Sequence, residues 1–176
     1  MNTKLKLAAM AVAVVFSFTA AKAEDPAKLN DLQIAHVAYT ADNIDIRYAH
    51  LALAISKNPA VHEFARTMIR DHTAVNDQAL ALLEKLKASP QDNFLSRQLD
   101  KNADALVDEM SRLRGAEFDR RYAGNELAYH KAVNDLVENT FIPNIDNAEV
   151  KALFKAGLEI FKAHEGHAEM MVKALK

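Results

Sequence analysis

The chain has 176 residues, half of them hydrophobic, and its 22 basic and 24 acidic side chains leave a formal net charge of −2. That near balance argues against a surface built for nucleic acid or anionic membranes. The absence of cysteine rules out disulfides and thiolate chemistry.

The start of the chain reads as a targeting segment. Lys4 and Lys6 make a short positive region, Leu7 to Phe18 an apolar run, and Ala21-Lys22-Ala23 a small-residue cleavage site. The run is shorter than the roughly 20 residues needed to span a bilayer. With no cysteine, lipid attachment at a new N-terminal cysteine is excluded. The expectation is a signal peptide over 1–23 and one domain over 24–176, exported to a bacterial periplasm, with peripheral envelope association left open. Removing 1–23 takes three lysines and no acid, leaving 153 residues with a net charge of −5. That length suits a single core.

The first helix is expected from Ala27 to about Ser56. Its inward row is Ile34, Val37, Ala38, Ala41, Asp45, Tyr48, Ala52 and Ile55, with Asp45 in register between Ala38 and Ala52. His36 and His50 fall on the opposite face and are expected to be solvated. Asn58 as N-cap and Pro59 at the first helical position restart the chain. The second helix then runs to about Lys87, before Ser89-Pro90. Its inward row is Val61, Ala65, Met68, His72, Val75, Ala79, Leu82 and Leu86, apolar except for His72.

A weaker helical stretch follows, from about Phe94 to Leu113, closed by Gly115 as a C′ residue. It reads as a crossover segment. The next helix spans about Ala116 to Phe141 and buries Phe118, Tyr122, Tyr129, Val133, Leu136 and Val137, with Asp119, Glu126 and His130 on the same side. Ile142-Pro143-Asn144 breaks it, and Asp146 or Asn147 can cap a last helix whose inward row includes Val150, Phe161, His164, Ala168 and Met171. No credible strand, phosphate loop or nucleophile elbow occurs. The fold class is therefore all-α: four long helices, up-down-up-down, with an extra helical crossover segment.

A weak internal repeat supports a common polar layer. Aligning His72 with His164 pairs Ala65 with Gly157 and Met68 with Ile160, while aligning Asp45 with Glu126 pairs Tyr48 with Tyr129. Counted from turns taken to share one end of the bundle, the inward polar residues lie about ten to seventeen positions deep. At ~1.5 Å rise per residue that is within roughly 10 Å along the axis.

Asp71-His72, Phe118-Asp119-Arg120-Arg121-Tyr122, His130 eight residues after that tyrosine, and His164 together resemble an exported family catalogued as domain of unknown function four-one-four-two, whose members are often labelled outer membrane proteins. The resemblance covers nearly all of the chain beyond the targeting segment. It implies a ferritin-like four-helix fold and no established activity. The family usually offers Glu where this chain has Asp45.

Di-iron proteins of ferritin-like fold use Glu-x-x-His on two helices. Here Ile69 and Phe161 stand three residues before His72 and His164. A carboxylate-bridged di-iron centre is therefore not expected. Asp45, His72, Glu126, His130 and His164 are instead candidate ligands for one transition metal ion, Zn, Fe, Mn or Cu, suited by mixed imidazole and carboxylate donors. Asp71, Asp119, Tyr122 and His167 are supporting candidates, Asp71 as an orienter of an imidazole. The competing reading is a metal-free structural or partner-binding module with a buried, hydrogen-bonded polar network. Without a nucleophile–base pair, hydrolase activity is not expected, and an enzymatic role of another kind is left open as the less favoured reading. Protein partners and self-association are left open.

Overall fold

A computed structural model describes residues 24–175. The expected signal peptide, residues 1–23, lies outside the described residues.

The described residues are mostly helical and contain no strand. Five helices matter: α1 (Asp31–Ile55), α2 (Pro59–Lys85), α3 (Phe94–Ser111), α4 (Gly115–Leu136) and α5 (Ala148–Ala174). Local chemistry sets their starts. Asn30 and Gln33 form a reciprocal capping box that begins α1 at Asp31, after a short 3-10 turn over Pro26–Lys28. Asn58 caps α2 ahead of Pro59, Asn93 caps α3, and Asn147 caps α5. Gly115 takes the expected left-handed backbone (φ 57°), but in the turn opening α4, beyond the end of α3 at Ser111. A π-helical stretch, Val137–Phe141, and a last turn, Ile142–Asn144, extend α4 to its break.

Helices α1, α2, α5 and α4 pack in that cyclic order as a four-helix bundle, and α3 lies along the outer side of α1. The expected all-α bundle with a helical crossover is what the chain forms. The order of helix directions differs from the up-down-up-down expectation: it is up-down-down-up. The start of α1 meets the start of α5, where the Asp31 carboxylate accepts from the backbone N–H groups of Asp146 and Asn147 at 3.0 and 2.8 Å. The other end of α1 meets the start of α4, where the Ser56 hydroxyl donates to Asp119 at 2.6 Å. The reason is the crossover: an 18-residue helix rises about 27 Å, so α3 carries the chain back along the bundle before α4 begins. One long crossover is the connectivity of ferritin-like bundles.

The crossover also revises the outer face of α1. His50 is exposed, as expected. His36 is half-buried instead, 4.0 Å from Asp92 just ahead of α3.

The core has two apolar parts. One, near the α1–α2 turn, contains Tyr48, Phe64, Met68, Phe118, Tyr122 and Met171. The other, near the α4–α5 turn, contains Ile34, Val37, Val137, Phe141, Val150 and Leu158. Between them the inward rows turn polar.

Candidate metal centre

All five residues singled out as ligands are fully or almost fully buried: Asp45, His72, Glu126, His130 and His164. They come from all four bundle helices. Counted from the Ser56–Asn58 end they stand about ten to fifteen residues deep, a spread of roughly 8 Å along the axis. A layer near mid-bundle stays together whichever end the chain is counted from, so the revised helix order leaves it intact.

The three imidazoles form a triangle. Ring centroids are 5.8 Å apart for His72–His130, 5.4 Å for His72–His164 and 5.6 Å for His130–His164. One ligand atom from each of these rings lies within 4.8 Å of the others, and Asp45, Glu126 and His130 make a second such group. Asp45 Oδ2 sits 3.3 Å from His72 Nε2 and 3.3 Å from His130 Nε2.

Each ring has one nitrogen in a hydrogen bond and one that is not. His72 Nδ1 is 2.8 Å from Asp42 Oδ1, His130 Nδ1 is 2.9 Å from the Glu126 backbone carbonyl, and His164 Nε2 is 3.0 Å from Asp71 Oδ2. Facing an acceptor, each of these nitrogens carries the proton and donates it. In the neutral ring the lone pair is then on the other nitrogen: His72 Nε2, His130 Nε2 and His164 Nδ1. Those three atoms are buried and have no hydrogen-bond partner, as do both oxygens of Asp45 and of Glu126. Orphaning so many buried polar atoms costs on the order of 1–3 kcal/mol each. A cation would engage them together, and the Asp42, Asp71 and backbone contacts are of the kind that orient histidines at metal sites. Tetrahedral ligands at ~2.0 Å stand roughly 3.3 Å apart, the spacing of Asp45 Oδ2 from both Nε2 atoms.

The electrostatics divide the cluster. Burial pushes the His164 imidazole down to about 4, against a smaller upward pull from Asp71. Burial likewise lowers His130, partly opposed by Asp45. For His72 burial also pulls down, but the charges of Asp45 and Asp42 and the Asp42 hydrogen bond together outweigh it, and its pKa rises. Burial, with the Asp45 charge behind it, raises Glu126 well above the usual carboxylate range. Burial raises Asp42 too, partly offset by its bond to His72.

The supporting candidates separate. Asp71 touches His164 and is anchored by Arg70 through two bonds. Tyr122 is buried with an unpartnered hydroxyl, its pKa raised by burial and by the charges of Glu126 and Asp45. Asp119 is not drawn into the cluster; it holds Ser56 at the bundle end. His167 is exposed on the outside of α5. Ile69 and Phe161 occupy the Glu-x-x-His positions, and the Phe161 ring stacks on His72 at 4.6 Å. Sequence reasoning missed Asp42, although it stands three residues before Asp45 and so shares its face. It also missed Asn134, one turn after His130, which donates to Glu165 at 2.9 Å and to the Phe161 carbonyl.

The profile of the family described as Domain of unknown function (DUF4142) matches residues 17–171, and the chain belongs to that family. Neither a curated protein nor a solved structure gives a match.

Proposed function

We propose that this member of a family without an assigned activity binds one transition metal ion in the middle of its bundle. His72, His130 and His164 would supply the neutral nitrogen ligands and Asp45 the carboxylate, with Glu126 beside Asp45. The observation that carries this reading is the pattern of used and unused nitrogens: three buried rings, each held by one nitrogen and each with the other unpartnered. Three imidazoles and a carboxylate suit Zn, Fe, Mn or Cu. With apolar Ile69 and Phe161 where bridging carboxylates would stand, the ligand set favours one ion over two. The metal-free alternative would be favoured by a broad exposed apolar face. Among the described residues the exposed large apolar side chains are Leu80, Ile160 and Met170, on two helices, the latter two ten positions apart.

The role proposed is metal sequestration or stress protection outside the cytoplasm. The basic start, apolar run and Ala21-Lys22-Ala23 site support export. Among the described residues no helix is long and apolar enough to cross a membrane. Export predicts an intact mass beginning at Glu24 for protein recovered from the periplasm; a mass retaining residues 1–23 would contradict it.

Metal binding is tested by thermal unfolding of the metal-free chain with added Zn2+, Mn2+, Fe2+ or Cu2+. At a hundredfold excess over Kd, one of these ions should stabilise the fold by about 2.7 kcal/mol. A His72→Ala chain that still folds should lose that gain. Equal stabilisation of both chains would place the ion elsewhere.

A further inference from the structure

Below the histidine layer the bundle leaves its interior unfilled. Small residues line the space on three helices: half-buried Ala38 on α1 and Ala79 on α2, and buried Gly157 on α5. They leave a cavity of about 160 Å³ whose walls are otherwise almost entirely apolar. Its upper end adjoins the candidate centre: Ala41, Asp42, Tyr129, Val133 and Phe161 line both this cavity and the small void beside Asp45, His72 and His130. Besides the tyrosines Tyr39 and Tyr129, two polar side chains interrupt the apolar wall. Asp42 is bonded to His72. Asn76, one turn beyond His72 on α2, is buried and its Oδ1 has no partner.

We propose that this cavity binds one small uncharged molecule, an apolar body bearing a single hydroxyl, in the class of phenols and short-chain alcohols. Size comes first. An apolar cavity of about 150 Å³ stays dry and takes up benzene, so this one holds roughly six to eight heavy atoms. Charge comes next. An anionic head would meet the Asp42 carboxylate, and a cation would lose its hydration in an apolar chamber. The hydroxyl has a reason to be there, because a donor reaching Asn76 Oδ1 satisfies the unpartnered acceptor. The site does not depend on an ion in the centre above, and a ligand held here lies against the same wall.

Phenol, benzene and benzoate are titrated calorimetrically into the full chain beyond Ala23, metal-free and metal-loaded. Phenol should bind at one per chain in both forms, benzene about fivefold to tenfold more weakly for want of the hydrogen bond, and benzoate not measurably. Asn76→Leu should bring phenol and benzene to equal affinity. Ala79→Leu, which fills the chamber, should weaken both at least tenfold while the chain stays folded; Ala38→Leu serves if Ala79→Leu does not fold. No phenol binding to the wild-type chain would overturn the proposal. So would phenol binding undiminished in a folded filling variant, or benzoate binding as tightly as phenol. Phenol binding to a chain that takes up no metal would uphold this cavity and refute only the metal reading.

Discussion

Acid should destabilise the metal-free protein through His164, and the size of the effect follows from its position. The imidazole is buried against Phe161, His72 and His130, and burial holds its pKa at about 4 against an ordinary value of 6.5. The unfolded chain takes up a proton there as pH falls through about 6.5, while the folded chain resists until about 4. A histidine with a depressed folded pKa therefore contributes stability that is whole above 6.5 and lost between 6.5 and 4. That gap is worth about 3 kcal/mol. His130, also lowered, acts in the same direction. His72, raised, acts oppositely: its contribution is present below 6.5 and lost as pH rises through its folded value. His164→Gln isolates one term, because glutamine can still donate to Asp71 but does not titrate. Urea unfolding of both metal-free chains, at intervals from pH 7 to pH 4, gives the two stability curves. The wild-type chain should lose about 3 kcal/mol more than the variant across that range. Parallel curves would refute the assignment of His164 as a buried neutral imidazole.

Other perturbations should act more locally. Asp42→Asn removes the charge behind His72 Nδ1 and should weaken metal binding about 10–100-fold, read by competition with a chelator; unchanged affinity would make Asp42 a bystander. Asp119→Ala breaks the buried bond from Ser56 and should cost about 1–3 kcal/mol of stability with metal affinity unchanged, since Asp119 stands away from the cluster. His50→Gln, on an exposed position, should change stability by no more than ~0.5 kcal/mol, and a larger loss would mean the phase of α1 is misassigned.

The helices were legible because their signals are local. Asn58-Pro59 and the inward rows of α1 and α2 state their own starts and faces, since capping and a 3.6-residue period need no knowledge of neighbours. Asp45, His72, Glu126, His130 and His164 could be picked out for the same reason: each replaces an apolar residue in a buried row. The direction of α4 was not local. It depended on whether Phe94–Ser111 crosses the bundle end or runs its length, and only the length of α3 and its packing on α1 decide that. The partners of the histidines were equally hidden. Asp42 reaches His72 from α1, and Asp71 reaches His164 from α2, so both contacts depend on the rotation of one helix against another. Asp119 shows the limit of facing alone. It is seven residues before Glu126 and on its side, yet two turns nearer the bundle end, roughly 10 Å away. His167, three residues beyond His164, is turned far enough around α5 to face solvent.

The central claim is a single ion held by buried imidazoles and Asp45, and metal content measures it directly. Untagged protein purified from its native compartment, or the metal-free chain reloaded with each candidate ion and then freed of excess, is assayed by elemental mass spectrometry against protein concentration. The account predicts at most one equivalent in the purified protein and one equivalent on saturation by the preferred ion, falling to background in a folded His72→Ala chain. Two equivalents, or none under any loading condition with full stability retained, would contradict it.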